Sequence, residues 1–188
     1  MKLLTPIKTK KEVKFGKSLQ TLIIAATLFA IAALIAIPTV AQFIPVEFRT
    51  GFPVVATIGI WAIVVLGGLF YSWLLILTLQ TLGSKGEFVH GLATIAYSLL
   101  PISFGTLLAA LLTYIPYLGA LLSFIVIATF GVIGYALVYR LITLLFETDI
   151  ITAFIAVGIL TGVTILAIYT TGISFGLSLG KLLPQTFS

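Results

Sequence analysis

Five long stretches of this chain hold a single Lys, Arg, Asp or Glu between them, and that one residue is Arg140. They run from about Ser18 to Ile37, Val54 to Gln80, Gly91 to Tyr114, Gly119 to Phe146, and Ile151 to Gly180. A stretch of about 20 apolar residues is what a helix needs to cross the ~30 Å hydrocarbon core of a bilayer. The composition agrees: 61% of the residues are hydrophobic and 8% are charged. About 25% charge is ordinary for a soluble domain. A soluble enzyme, a disordered chain and a nucleic-acid binder are therefore excluded. Lipid cannot satisfy open backbone groups, so the runs must be helices or a closed barrel. They lack the short alternating segments of a barrel. The expected fold is all-α: a polytopic membrane bundle of five transmembrane helices.

The predicted organisation is a basic tail over 1–17, a five-helix domain over 18–180 and a short tail over 181–188. The second, fourth and fifth spans exceed the core thickness at 1.5 Å per residue, which predicts tilt. Pro38 is expected to end the first span. The uncharged link Ile115-Pro116-Tyr117-Leu118 makes the third and fourth spans a tight antiparallel hairpin. Phe43, Phe48 and Phe52 interleave with Glu47 and Arg49 between Pro38 and Pro53, which suits a surface loop in the interface over a re-entrant one. A basic start, an apolar run and Thr39-Val40-Ala41 also match a cleaved signal peptide. The run is longer than the usual 7–15 residues, which favours a retained span.

Basic residues orient the bundle. Lys2, Lys8, Lys10, Lys11, Lys14 and Lys17 crowd the amino-terminal segment. With the amino terminus inside, these six, Lys85 and Arg140 fall on the inner side, and only Arg49 and Lys181 fall outside. The carboxyl terminus is then outside. The lysine tail is expected to bind anionic lipid headgroups, with Lys8, Lys10, Lys11, Lys14 and Lys17 nearest the membrane. A multi-pass cell-membrane protein is expected, or a Golgi or ER protein in a eukaryote.

Few residues suggest chemistry. There is no cysteine and one histidine, so thiol chemistry and a multi-histidine metal site are excluded. No nucleotide, protease or nucleophile motif is present, and no span carries two carboxylates. No cofactor is expected. Arg140 lies about 9 Å from the inner end of its span, within reach of snorkelling to phosphate. Pairing with Glu147 two turns on, or a transport role, are the alternatives. Thr148 or Asp149 is expected to cap the fifth helix. Pro101 frees the Tyr97 carbonyl, leaving a gap for Ser98 or Thr94 to fill; it marks either a packing kink or a wet polar pocket. His90 reads as a lone interfacial histidine. Gly158, Gly162, Gly172, Gly176 and Gly180 fall in a sector of about 80° on the fifth helix. Such small-residue faces admit another backbone closely. The visiting helix belongs either to this chain or to a partner.

The link Gly83-Ser84-Lys85-Gly86-Glu87-Phe88, the segment Ala96-Tyr97-Ser98-Leu99-Leu100-Pro101, and five spans after a cytosolic start together resemble the Yip1 domain family over about residues 18–180. Eukaryotic members carry Gly-Tyr-x-x-x-Pro; this chain keeps Tyr97 and Pro101 and has Ala96 for the glycine. It lacks their Asp-Leu-x-Gly-Pro motif, which places the resemblance with prokaryotic members. The resemblance implies a non-enzymatic integral membrane protein. Eukaryotic members associate with Rab GTPases in Golgi and ER traffic, and some bacterial ones appear beside export transporters. The expected function is thus a membrane adaptor or scaffold that binds partner membrane proteins or copies of itself, or assists trafficking or export. The alternative is a small oligomeric transporter or channel subunit, suggested by Arg140 and the Pro101 kink.

Overall fold

A computed structural model describes residues 13–41 and 52–182, with side-chain surroundings for 13–37, 53–166 and 169–170. The described chain is helical throughout, in the order α1 (Phe15–Ala41), α2 (Phe52–Thr81), α3 (Phe88–Leu112), α4 (Gly119–Phe146) and α5 (Ile150–Leu182). Four of these, α1 to α4, are long and apolar enough to cross a membrane. The apolar stretch described in α5, Ile150–Leu166, is shorter. The chain is thus a membrane-type helical bundle with four candidate spans.

Two boundaries differ from expectation. Helix α1 passes through Pro38 to Ala41, because a proline deletes one backbone hydrogen bond and its neighbours carry the helix on. Both edges of the expected 38–53 loop are therefore helical, and its middle, 42–51, lies outside the described residues, as do Lys8, Lys10 and Lys11. Lys14 and Lys17 are exposed where α1 begins.

Helix α3 lies at the centre and packs on α1, α2 and α4, while α5 rests on α2 and α4. The larger buried cluster is at the end of the bundle where α2 and α4 stop and α3 and α5 start. There Leu75 and Leu79 of α2, Ala93 of α3, Leu141, Ile142, Leu145 and Phe146 of α4, and Ala153, Ala156 and Leu160 of α5 form one buried cluster. Leu22, Leu92 and Ala96 form a second cluster between α1 and α3. Lipid tails are as apolar as leucine, so close contact rather than water exclusion must hold such helices together.

Small residues supply that contact. A Cβ on Gly91 would stand 2.6 Å from the Ser72 carbonyl oxygen of α2, and one on Gly134 would stand 2.9 Å from that of Ser98 in α3. Polar side chains pin the remaining crossings. Tyr114 donates to the Ile35 carbonyl at 2.6 Å, and Ser123 donates to the Ala109 carbonyl at 2.7 Å. The Tyr71 and Thr164 hydroxyls share a bond of 2.8 Å between α2 and α5. Outward faces stay apolar: Val132, Phe124 and Val55 are 70%, 72% and 71% exposed. Water would penalise such a surface heavily, whereas lipid does not.

The link between α3 and α4 is as tight as expected. Tyr117 takes a left-handed φ of 62° and is fully exposed. That conformation costs a non-glycine residue about 1–2 kcal/mol.

Candidate functional site

The end of the bundle that holds the larger cluster also holds a cleft. Helix α2 stops at Thr81; Gly83 turns the chain at φ 85°, and the Ser84 N–H reaches back to the Leu79 carbonyl at 2.9 Å. A positive φ at this position is the usual glycine helix stop. Helix α4 stops differently. Its C-cap is Glu147, at φ 53° and ψ 40°, a conformation more often given to glycine or asparagine. The two stops leave a cleft of about 380 Å³ between the 82–85 link and the 146–149 link. Lys85 lies on one side, with Glu147, Thr148 and Asp149 on the other, and Phe146 is part of the wall.

Asp149 has a defined task. Its Oδ1 accepts the Thr152 N–H at 2.8 Å, capping α5. Hydrogen bonds from the Thr152 side chain and then its backbone hold the Asp149 carboxyl below the usual carboxylate range. A depressed carboxyl pKa stabilises the fold above its unfolded value, and that support fades as pH falls through the lower, folded value. Asp149→Ala is therefore expected to speed amide exchange at Ile151–Ala153 at neutral pH, and Asp149→Asn to leave it near wild type. Acidification should reproduce the alanine effect in the wild type alone. Thr148, the other candidate cap, does not serve: its Oγ1 is buried with no hydrogen-bond partner.

The remaining sequence candidates are dispersed. Arg140 is exposed on α4. Glu147 is the C-cap of α4, in a left-handed conformation. Pro101 sits inside a continuous α3, in the stretch where Gly134 brings α4 against Ile102 and the Ser98 carbonyl. The surroundings are those of a packing contact. Ser98 and Thr94 donate to the Ile95 and His90 carbonyls, and neither fills the gap at Tyr97, since a helical hydroxyl reaches back three or four residues. Tyr97 is half-buried against the main cluster.

His90, at the start of α3, is buried in the protein. It is 7% exposed, its ring meets Phe146 edge-on at 6.0 Å, and its Nδ1 accepts the Glu87 N–H at 3.0 Å. Glu87 and His90 stand three apart at a helix start, the spacing of a capping box, and that spacing was the signal available in the sequence.

On α5 the glycines divide. Gly158 and Gly162 are exposed, and a Cβ at either would meet no atom within 4 Å. No helix of this chain covers them among the described residues. Gly172, Gly176 and Gly180 are within α5, but their surroundings lie outside the described residues. Beyond Leu160 the described apolar side chains of α5 turn outward: Ile165, Leu166 and Tyr169 are each more than 60% exposed.

Comparison with family models, with curated proteins and with solved structures finds no match for this chain.

Proposed function

We propose that this protein is a non-enzymatic membrane adaptor that holds another transmembrane helix, from a partner or from a second copy, against α5. The observation that carries this reading is the bare surface at Gly158 and Gly162. Within the bundle, glycines at helix crossings, such as Gly91 and Gly134, meet a neighbouring backbone. A Gly-x-x-x-Gly pair without one is a packing face lacking its counterpart. A fifth crossing by α5 belongs to this proposal, since its 33 residues would reach about 50 Å.

The amino terminus is then inside and the carboxyl terminus outside. The placing of Lys14, Lys17 and Lys85 where α1 and α3 begin supports that orientation under the excess of basic residues on inner loops. A role in trafficking or export, with Yip1-like kinship, rests on Tyr97 and Pro101 and on the link before α3. Anionic headgroups are the expected contact of the lysine tail.

The transporter reading is weaker, because Arg140 faces outward and the core at that end is filled by leucine, isoleucine and phenylalanine. Extraction from native membranes in a mild detergent tests the adaptor reading. A stable complex, heteromeric or homomeric, is expected. Recovery of a lone monomer under conditions that keep other membrane complexes intact would contradict it.

A further inference from the structure

We propose that the turn joining α3 to α4 seats in the lipid headgroup layer of the leaflet opposite Lys14, Lys17 and Lys85, with the Tyr117 ring as its anchor. The partner of this surface is the bilayer itself. The inference needs α3 and α4 to cross the membrane, and it does not depend on what α5 holds.

Length sets the depth. Lys85 and Glu87 precede α3, and Glu147 and Asp149 follow α4. Such charges belong at the water boundary. No Lys, Arg, Asp or Glu occurs over 88–139, which includes the turn. From the charged end, the 25 residues of α3 rise about 37 Å. The 28 residues of α4 rise about 42 Å. The hydrocarbon core is about 30 Å thick, and the bilayer with its headgroup regions about 40–45 Å. The turn thus clears the hydrocarbon and stops among the far headgroups. A second register agrees. Tyr114 reaches the Ile35 carbonyl, and α1 continues past Ile35 to Ala41, about 9 Å farther at its 1.5 Å rise. The turn does not project far beyond the end of α1.

The backbone of the turn suits a place where water is scarce. Thr113, Tyr114, Ile115, Leu118 and Gly119 donate their N–H groups to carbonyls of the turn or of the end of α3. Pro116 has no N–H to donate. The Thr113 hydroxyl donates to the Ala110 carbonyl at 2.7 Å. Lipid demands such internal satisfaction, and bulk water does not.

The side chains match the same layer. Tyr114, Ile115, Tyr117 and Leu118 are all exposed. A tyrosine at the boundary keeps its ring with the acyl chains and its hydroxyl with the headgroups. Tyr117 holds a left-handed φ that glycine takes without steric cost. A bulky residue kept there, with its ring outside the protein, points to a task for the ring. The surface carries no charge, so neutral and anionic lipid should both accept it.

The chain has no cysteine, so a single nitroxide reports a single position. Full-length Leu118→Cys carries the label in phosphatidylcholine vesicles. Val132→Cys, exposed at the middle of α4, is the hydrocarbon reference, and free label in buffer is the aqueous one. Collisions with oxygen read hydrocarbon, and collisions with a neutral nickel chelate read water. At position 118 the nickel rate is expected to be about five-fold below that of free label, with an oxygen rate below that at position 132. Part-replacement by phosphatidylserine should leave both unchanged. A nickel rate equal to that of free label would place the turn in water. Rates equal to those at position 132 would place it in hydrocarbon. Exclusion of both reagents would place it against protein, a second copy included. Each of these overturns the proposal. Adding Tyr117→Gly should raise the nickel rate about two-fold, and Tyr117→Trp should not. The melting temperature in detergent should not fall in the glycine variant, because glycine relieves the φ. A nickel rate unmoved by Tyr117→Gly would overturn the anchor.

Discussion

Gly91→Val is expected to destabilise the solubilised protein by about 1–3 kcal/mol, the usual cost of forcing extra atoms into a packed crossing. The reason is local. The added Cβ would stand 2.6 Å from the Ser72 carbonyl oxygen, a backbone atom with no rotamer to yield. Ser72 is fully buried, and its Oγ is tied to the Gly68 carbonyl at 2.6 Å. Relief requires α2 and α3 to separate, which loosens Leu75 and Ala93 in the same cluster. Thermal unfolding in detergent checks this. A variant as stable as wild type would mean that α2 and α3 cross less closely than the structure places them.

Gly158→Leu with Gly162→Leu is expected to have the opposite profile. Neither added side chain meets an atom of this chain at its Cβ, so the melting temperature should stay near that of wild type. Association should weaken at least ten-fold, because leucines at both positions would hold an approaching helix away from α5. Ten-fold corresponds to about 1.4 kcal/mol. Förster transfer between labelled copies, or co-purification of the partner, measures the loss. Unchanged association would remove the glycine face from the account. A collapse in stability would show that α5 packs inside the chain after all.

How much of this was legible beforehand depends on what each residue reports. The bounds of α4, Gly119–Phe146, are those its apolar run defines, because a long apolar stretch after a proline turn and before an acidic link needs no knowledge of its neighbours. The four apolar helices follow from the same signal. Pro38 misled at the end of α1, since a proline is a strong local signal and a helix tolerates one lost bond. Pairing is harder to read. Gly91 stands alone in its turn and Gly134 follows Gly131 by three residues, and nothing along the chain says that Ser72 or Ser98 lies opposite. The Gly-x-x-x-Gly pattern of α5 was visible, but whether a helix of this chain fills it is a tertiary fact. The cleft was illegible for the same reason: Lys85 and Asp149 are distant in sequence, and only the fold brings the 82–85 and 146–149 links to one cleft. The Glu87–His90 cap needs no tertiary knowledge, but histidine is an unusual member of such a box, where glutamate or glutamine is the usual partner.

The central claim is that lipid surrounds this chain, which threads it five times from an inner lysine-rich start. Single thiols introduced as Lys2→Cys and Ser188→Cys test it directly with a membrane-impermeant maleimide. The account predicts that position 188 is labelled in intact cells and position 2 only after permeabilisation. Both positions reacting from the same side would contradict it.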